Sequence, residues 1–468
     1  MYCMAKRNVR DFTEGSIVSH LVAFATPMLL GNVFQALYST VDSFWVGRFL
    51  GAEALAAVSV GFPIIFALTS LAIGLTIATT TLVSQSFGAK DYPQIAHISA
   101  NTITLLSMLG IFFAFTGYFF RNQLIELVGT PADIKEMAVS YLGICSLGFP
   151  VVYAYNVAGA ILRGMGDSRT PLNALIVATL INIVLDPILI FGVGPIPKMG
   201  VAGAAIATIF AQLIASIVAL VGVFRTVSFR RRFRDFLRID KRITGLSFKI
   251  GLPSAVQQSL VSFGAMVVVS IVNKYGFVEA AALGVGNRLD QFTLMPAMSL
   301  STAVSALVGQ NLGAGKLDRV KETVASGCKL SLGIALCTFA VMQLFPRTVF
   351  SLFTKDAVLL DSGVRYLRSV SFIYIPMSLH FILQGVMRGA GDTIPTMLIA
   401  LGALWMIRLP SALVMSGPFG MGISGVWLAF PMSGTFTLIM NYIYYKRGKW
   451  ASKRLIRHEA IQASLDDL

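Results

Sequence analysis

Three aspartates lie within long apolar stretches of the sequence, where a charged side chain is costly. They are Asp42, Asp186 and Asp290, whereas the other acidic residues fall in polar segments or at the ends of apolar stretches. On insertion scales a charged side chain costs about 2.5–3.5 kcal/mol at the centre of a bilayer. A carboxylate in such a place can bind a cation or carry a proton, so these residues are candidates for function.

Asp186 has neighbours that suit cation binding. Asn182 precedes it by four residues, so the two side chains share one face of a helix. Pro187 follows, and a proline inside a helix frees the carbonyl four residues before it, here that of Ile183. This set of oxygens can bind a cation or hold a transferable proton, and a structural hydrogen-bond network between helices is the alternative.

A separate apolar stretch adds further polar groups. Tyr141 and Asn156 are fifteen residues apart, about four helical turns, which predicts that they lie on similar faces of one helix. The cation- or proton-binding set that we predict comprises Asp42, Asp186, Asn182, Asn156 and Tyr141.

Asp290 is accompanied by arginines rather than by amides. Arg288 is two residues away, so the two side chains point to different faces, and Arg408 in a later stretch is a candidate partner. A buried structural pair and a site facing a cavity are both open interpretations. The predicted substrate cavity comprises Tyr38, Tyr153, Tyr155, Gln257, Asp290 and Arg288.

The composition excludes a soluble protein. Hydrophobic residues make up 56% of the 468 residues and charged residues 13%, about half the charged fraction of soluble proteins. Twelve apolar stretches reach the roughly 20 residues of a membrane-spanning helix, whereas a barrel would need short alternating segments. They lie near 16–42, 53–83, 94–119, 137–162, 171–192, 199–224, 244–273, 280–309, 318–344, 362–386, 394–416 and 422–445.

The basic residues set the orientation. There are 37 Lys and Arg against 22 Asp and Glu, a net charge of +15, and the excess lies in both terminal segments, the central linker and alternate loops. By the positive-inside rule these segments are cytoplasmic, which argues against nucleic-acid binding. We expect a multi-pass protein of the inner (plasma) membrane with cytoplasmic termini. The linker is either an amphipathic helix on the inner leaflet or a solvated tether.

The two halves of the chain are copies. Leu162-Arg-Gly-Met-Gly-Asp167 resembles Met387-Arg-Gly-Ala-Gly-Asp392, 225 residues later, and Ser84-Gln-Ser-Phe-Gly-Ala-Lys-Asp91 resembles Gly309-Gln-Asn-Leu-Gly-Ala-Gly315. Pro27 likewise matches Pro253. Six helices in each copy predict an all-α membrane protein of two lobes related by a pseudo-two-fold axis along the membrane normal. The predicted domains are an N-terminus (1–15), a first lobe (16–224), a linker (225–243), a second lobe (244–445) and a tail (446–468).

The duplication singles out two of the aspartates. Counting from the paired prolines places Val268 opposite Asp42 and Leu409 opposite Asp186, so neither acid is repeated. Repeated residues are expected to build the scaffold, and unrepeated buried charges are expected to carry the chemistry.

The sequence argues against an enzyme. The repeated Gly-x-Gly-Asp resembles the signature of intramembrane aspartyl proteases, but both copies lie at helix ends shortly before Pro171 or Pro395, which is typical of turns. Hydrolase triads, zinc motifs and phosphate-binding loops are missing from the sequence, and its four cysteines and four histidines lack ligand spacing. We therefore expect no cofactor, no metal beyond Na⁺ at Asp42 and Asp186, and energy from an ion gradient.

These motifs are similar to those of the multidrug and toxic compound extrusion (MATE) family. The similarity rests on the helix from Pro27 to Asp42, on Gln85-Ser-Phe-Gly-Ala, on Arg163-Gly-x-Gly-Asp167 with its repeat, and on Asn182-x-x-x-Asp186-Pro187. It implies a V-shaped, two-lobed antiporter that exports organic cations or amphiphiles against proton or sodium influx by alternating access. In the prokaryotic branch that it resembles, the first lobe holds the ion site and the first helix bends near Pro27.

A second branch of that family carries acids in the second lobe. Here Val261 stands at its helix-seven position, and helix ten offers Tyr374, His380 and Gln384 instead. The resemblance therefore favours the first lobe.

The sequence is compatible with three other functions. A lipid-linked sugar flippase of the same superfamily is the main alternative, and it would need several inward-facing basic residues. A membrane-embedded enzyme and a channel are the others. We expect a monomer whose partners are organic cations or amphiphiles and membrane lipids, and the sequence leaves the choice between H⁺ and Na⁺ open.

Overall fold

Every regular element in the part of the chain that the structure describes is a helix. The computed structural model describes residues 9–227, 229 and 239–452. Helices satisfy their own backbone hydrogen bonds, which an apolar segment needs in lipid. The linker 225–243, which the sequence leaves as an amphipathic helix or a tether, and the end of the basic tail lie largely outside the described residues.

The first copy contains eight helices. They are α1 (Ile17–Phe49), α2 (Ala52–Gly88), α3 (Tyr92–Phe119), α4 (Arg121–Leu127), α5 (Ala132–Leu147), α6 (Phe149–Gly164), α7 (Arg169–Phe191) and α8 (Gly200–Thr226).

The second copy repeats this order with more interruptions. Its α-helices are α9 (Lys241–Asn273), α10 (Phe277–Gly313), α11 (Leu317–Leu344), α12 (Pro346–Ser351), α13 (Ala357–Val370), α14 (Tyr374–Ala390), α15 (Thr393–Leu401), α16 (Leu409–Ser416) and α17 (Ile423–Lys446). A short 3₁₀ turn joins α13 to α14, and a π-helix, Gly402–Arg408, joins α15 to α16.

The predicted fold class is confirmed. Among the described residues, eleven helices are long and apolar enough to cross a membrane, and the bent pair α5–α6 makes a twelfth span.

The fourth predicted span is broken. Its two helices, α5 and α6, meet at Gly148 with a bend of 47°. Pro150 lies in the first turn of α6, where its missing amide hydrogen is tolerated, although it would break a continuous helix. The span predicted near 137–162 is therefore made of two helices, and the prediction that Tyr141 and Asn156 share one continuous helix is wrong, because they lie on α5 and α6.

Packing divides the chain differently from the sequence copies. The first unit consists of Met1–Asp11 and Thr26–Ala255, and the second consists of Phe12–Ala25 and Val256–Leu468. The start of α1 thus packs with the second unit, and the start of α9 packs with the first.

The segment before α1 is tied into the second unit by its backbone. The Phe12 amide donates to Gln310 Oε1 at 2.9 Å, and Asn311 Nδ2 donates to the Phe12 carbonyl at 3.2 Å. Lys316 Nζ donates to the Thr13 carbonyl at 2.9 Å, and Arg319 donates to the carbonyl of Gly15 at 3.0 Å. The Gly309–Gly315 motif therefore holds this segment.

The segment before α9 is tied into the first unit by side chains of α3. The Asp240 amide donates to Asn101 Oδ1 at 2.7 Å, and Asn101 Nδ2 donates to Thr244 Oγ1 at 3.2 Å. His97 Nε2 lies 2.9 Å from Asp240 Oδ2, and this hydrogen bond lowers the pKa of Asp240.

The Gly-x-Gly-Asp motif forms a turn. The carboxylate of Asp167 accepts hydrogen bonds from the amides of Arg169 and Thr170, both at 2.9 Å, and from the Thr170 hydroxyl at 2.6 Å. The aspartate therefore stabilises the start of α7, as expected for turn chemistry.

Close helix contact within the first unit gives a test of this packing. A Cβ added at Gly74 would lie 2.3 Å from the Gly251 carbonyl oxygen and 2.9 Å from Ala255 Cβ. Because a backbone atom cannot rotate away, we expect Gly74→Ala to lower the free energy of unfolding by about 1–3 kcal/mol. Thermal unfolding in detergent measures this change. Gly245→Ala is the control, because an added Cβ there meets nothing within 4 Å; equal destabilisation of both variants would contradict the packing.

Candidate functional site

Four helices of the first unit bring polar side chains together. Asp42 lies in the last turns of α1, Asn182 and Asp186 lie on α7, Tyr141 lies on α5, and Thr208 lies on α8. Buried apolar residues such as Val46 and Ile190 pack beside Tyr141. The polar groups therefore lie in a largely apolar surrounding.

Asp186 is fully buried, and only one of its two carboxylate oxygens has a hydrogen-bond partner among the described residues. Its Oδ1 accepts a hydrogen bond from Asn182 Nδ2 at 2.9 Å, as their four-residue spacing predicts. Asp186 Oδ2 and Asn182 Oδ1 are buried without a hydrogen-bond partner among the described residues. Buried polar atoms are rarely left unpaired, so these two oxygens call for a ligand.

Asp42 faces the same site. Its Oδ1 is also buried without a hydrogen-bond partner in the described part of the chain. The carboxylate interacts electrostatically with that of Asp186 and with Tyr38, Tyr141 and Cys145. Two carboxylates thus act on each other in a site of low dielectric constant, where their repulsion is strong.

Helix α8 contributes two residues that sequence reasoning missed. Thr208 Oγ1 and Gln212 Oε1 are buried without partners among the described residues, and the Thr208 carbonyl accepts a hydrogen bond from Tyr38 Oη at 3.3 Å. The signal that would have found them is their spacing: polar residues four apart share one face of an otherwise apolar helix.

These groups suit a proton or a hard monovalent cation. The unpartnered atoms on α1, α7 and α8 are all oxygens, which are the ligands of hard cations in membrane transporters. Among the described residues, no group of three or more His, Cys, Asp or Glu is placed to hold a metal ion. One positive charge would neutralise a carboxylate and relieve the repulsion between the two.

The remaining members of the predicted binding set differ in their contacts. Tyr141 is buried with its ring against Gly61, where an added Cβ would lie 3.3 Å from the ring. Asn156 Nδ2 donates to the Val152 carbonyl of its own helix at 2.8 Å. The structure thus brings Tyr141 near the carboxylates, whereas the Asn156 amide hydrogen bonds along α6.

The two predicted cavity tyrosines of α6 join helices. Tyr153 Oη donates to the Leu68 carbonyl of α2 at 2.6 Å, and Tyr155 Oη lies 3.4 Å from the Pro171 carbonyl of α7. A cavity of about 140 Å³ lies between α1, α6 and α7, and its lining includes Pro27, Gln35 and Tyr155.

The predicted residues of the second unit differ in their surroundings. Asp290 accepts hydrogen bonds from two tyrosines, Arg288 is exposed, and Gln257 Oε1 is buried without a partner among the described residues. Val268 and Leu409, the counterparts of Asp42 and Asp186, are buried apolar residues.

One family model matches the chain twice. The MatE model matches residues 27–188 and 253–414, and each match begins at one of the paired prolines. Two matches of one model confirm that the halves are copies.

The chain is also similar to whole proteins. It is 33% identical to "Probable multidrug resistance protein YoeA" of Bacillus subtilis (strain 168), over 95% of this chain and 96% of that protein. It is 28% identical to the "FAD transporter" of Shewanella oneidensis, over 91% of this chain and 94% of that one. A solved structure described as an outward-facing conformation of a multidrug resistance MATE family transporter has the same fold, with a TM-score of 0.87, 24% identity, and coverage of 94% and 97%.

The contrast between two asparagines gives a test of the site. Asn182→Ala removes the only hydrogen bond to the Asp186 carboxylate among the described residues, so we expect weaker binding of the coupling ion by roughly tenfold. Asn156→Ala is the matched control, because its amide bonds to its own helix, and we expect less than a threefold change. The measurement is the ion concentration that half-saturates binding to purified protein. Equal effects of the two changes would contradict the assignment.

Proposed function

This chain belongs to the MatE family, and on that basis we propose that it exports drugs in exchange for a coupling ion that binds at Asp42 and Asp186. The sequence-based assignment to the multidrug and toxic compound extrusion family is confirmed. The protein is a membrane-embedded transporter of small molecules and not an enzyme.

The ion site is supported by one observation above all. Asp42 and Asp186 each have a buried carboxylate oxygen without a hydrogen-bond partner among the described residues. A buried pair of this kind gains most from a bound proton or cation.

Ion loading changes the packing of α1. Asp42 is on α1 and Asp186 is on α7, so neutralising the pair removes a repulsion between these two helices. Pro27 lies inside α1, where it interrupts the backbone hydrogen bonds, and the cavity beside it gives the helix room to bend. We infer that the ion enters from outside, that α1 then bends and releases the drug, and that drug binding from the cytoplasm discharges the ion.

H⁺ and Na⁺ make different demands on this site. A proton needs one carboxylate oxygen with a nearby acceptor, whereas Na⁺ needs several oxygens. The unpartnered oxygens of Asn182 and Thr208 are candidates for the additional ligands that Na⁺ would require. We therefore propose that both ions bind here in competition.

The substrates that we propose are organic cations and amphiphiles. The acids of the first unit favour positively charged cargo, and the 33 Phe and 19 Met of the chain supply apolar surface that adapts to different ligands. FAD and lipid-linked sugars carry phosphates, whose binding requires several Arg or Lys. We accordingly rank a dinucleotide exporter and a flippase below a drug exporter.

The orientation and assembly are part of the same proposal. The excess of Lys and Arg in both terminal segments and the linker supports cytoplasmic termini in the inner (plasma) membrane. We propose that the protein works as a monomer among membrane lipids, without a resident cofactor, because one unit holds the whole ion site.

Transport in inverted membrane vesicles tests this function. In inverted vesicles an exporter moves its substrate into the lumen. A substrate such as ethidium should therefore accumulate inside the vesicles when a proton or sodium gradient is applied. Asp42→Asn and Asp186→Asn should each reduce this uptake to the background of vesicles without the protein, because an amide carries no negative charge and is not protonated near neutral pH.

The control variant is Asp133→Asn, an exposed carboxylate at the start of α5, and it should transport normally. Undiminished uptake by both site variants would refute the ion site. Uptake of FAD but not of ethidium would refute the substrate class while leaving the ion site intact.

A further inference from the structure

The second unit contains a tyrosine in the same setting as Tyr141. A Cβ added at Gly61 would lie 3.3 Å from the Tyr141 ring, and one added at Gly286 would lie 2.3 Å from the Tyr366 ring. Gly286 follows Gly61 by 225 residues, and Tyr366 follows Tyr141 by the same number. Each unit therefore has a glycine that makes room for a buried tyrosine at equivalent places.

Tyr366 also faces a carboxylate, that of Asp290, and both oxygens of this carboxylate accept a hydrogen bond. Asp290 lies one turn after Gly286 on α10. Tyr366 Oη donates to its Oδ2 at 2.7 Å, and Tyr374 Oη donates to its Oδ1 at 2.6 Å. Two hydroxyl donors stabilise the charged form of a carboxylate. In the first unit, by contrast, Asp42 and Asp186 keep unpartnered oxygens.

A fixed positive charge lies beside Asp290. Arg408 ends the π-helix and precedes Leu409, the residue opposite Asp186. Its guanidinium interacts electrostatically with Asp290 and Tyr366, although the described residues include no ion pair between Arg408 and Asp290 within 4 Å. Arg408 Nε donates to Ser433 Oγ at 2.8 Å, so the side chain is held in place.

Aromatic rings enclose the arginine and the tyrosine. The guanidinium carbon of Arg408 lies 4.7 Å from the centre of the Phe430 ring, and Trp427 packs edge-on against Tyr366 at 4.9 Å. Trp427 and Tyr366 are both fully buried. π-Helices within α-helical segments occur preferentially at functional sites, and this one ends at the residue that supplies the charge.

We propose that Asp290 is a cation site of the same kind as the one in the first unit, in which the guanidinium of Arg408 takes the place of the transported ion. A buried carboxylate needs a counter-charge. The site in the first unit has two carboxylates, Asp42 and Asp186, with no described cation beside them, so it takes up an ion from solution. The equivalent site in the second unit has one carboxylate, Asp290, and its own cation, so it stays charge-balanced throughout transport. Removing the charge of Arg408 should therefore create a second site for H⁺ or Na⁺.

The test uses a chain in which the first site cannot respond. Asp42→Asn and Asp186→Asn are combined with Arg408→Gln, and the melting temperature is measured in detergent with and without Na⁺ at about pH 8 and about pH 5. The titratable and charged groups facing Asp290 among the described residues are Tyr366, Tyr374 and Arg408. We expect Arg408→Gln to melt at least about 5 °C lower at the higher pH without Na⁺. Acid or Na⁺ should restore most of that loss, because either neutralises Asp290.

Two variants separate charge balance from packing. Adding Asp290→Asn should abolish the response of the melting temperature to acid and Na⁺. Arg368→Gln in place of Arg408→Gln removes an exposed arginine two residues from Tyr366 and should show no such response. A fall in the melting temperature of Arg408→Gln that is the same at both pH values and with Na⁺ would overturn the proposal. It would mean that Arg408 stabilises the protein by packing and not by its charge.

A double-mutant comparison keeps the proposal testable if Arg408→Gln does not fold. Charge balance predicts that Asp290→Asn together with Arg408→Gln is more stable than Asp290→Asn alone, since the double variant leaves no unpaired charge. A double variant less stable than Asp290→Asn alone would contradict the proposal. None of these readouts requires transport, so they stand apart from the drug-export assay.

Discussion

The structure depends on the cost of keeping a carboxylate charged in an apolar surrounding. In the first unit, Asp42 and Asp186 act on each other, and each has a buried oxygen without a described partner. Such a pair is stable only when a positive charge joins it. Relief of this repulsion by a bound positive charge is the reason we propose the pair as the site that couples an ion gradient to the export of another molecule.

The helices around this pair contain residues that weaken or end a helix. Pro27 lies inside α1, Pro187 follows Asp186 in α7, and Gly148 separates α5 from α6. A proline inside a helix leaves the carbonyl four residues before it without its helical hydrogen bond, and at Gly148 the chain bends by 47° between α5 and α6. In the second unit the π-helix that ends at Arg408 has a similar position on its span, and there the result is a fixed cation instead of an acid. The two copies therefore share one helix arrangement and differ in a few buried charged residues, to which we assign different roles.

Much of the fold follows from the sequence because membrane-spanning helices are long and apolar, and because repeated motifs reveal the copies. The pairing of Asn182 with Asp186 follows from their spacing alone. The bend at Gly148 did not, since glycine and proline are common in membrane helices and only packing decides which of them breaks one. Thr208 and Gln212 were missed because their four-residue spacing on an apolar helix is a weak pattern when neither residue is charged. The exchange of the starts of α1 and α9 between units rests on contacts such as Phe12 with Gln310, 298 residues apart, which no local pattern encodes.

Calorimetric titration of the purified protein with Na⁺, at several pH values, tests the central claim most directly. If Asp42 and Asp186 share one coupling ion, the wild-type chain will bind one Na⁺, protons will compete with it, and Asp42→Asn will abolish the binding. Retention of the same binding by Asp42→Asn and by Asp186→Asn would contradict the account, because the ion would then be held elsewhere in the chain.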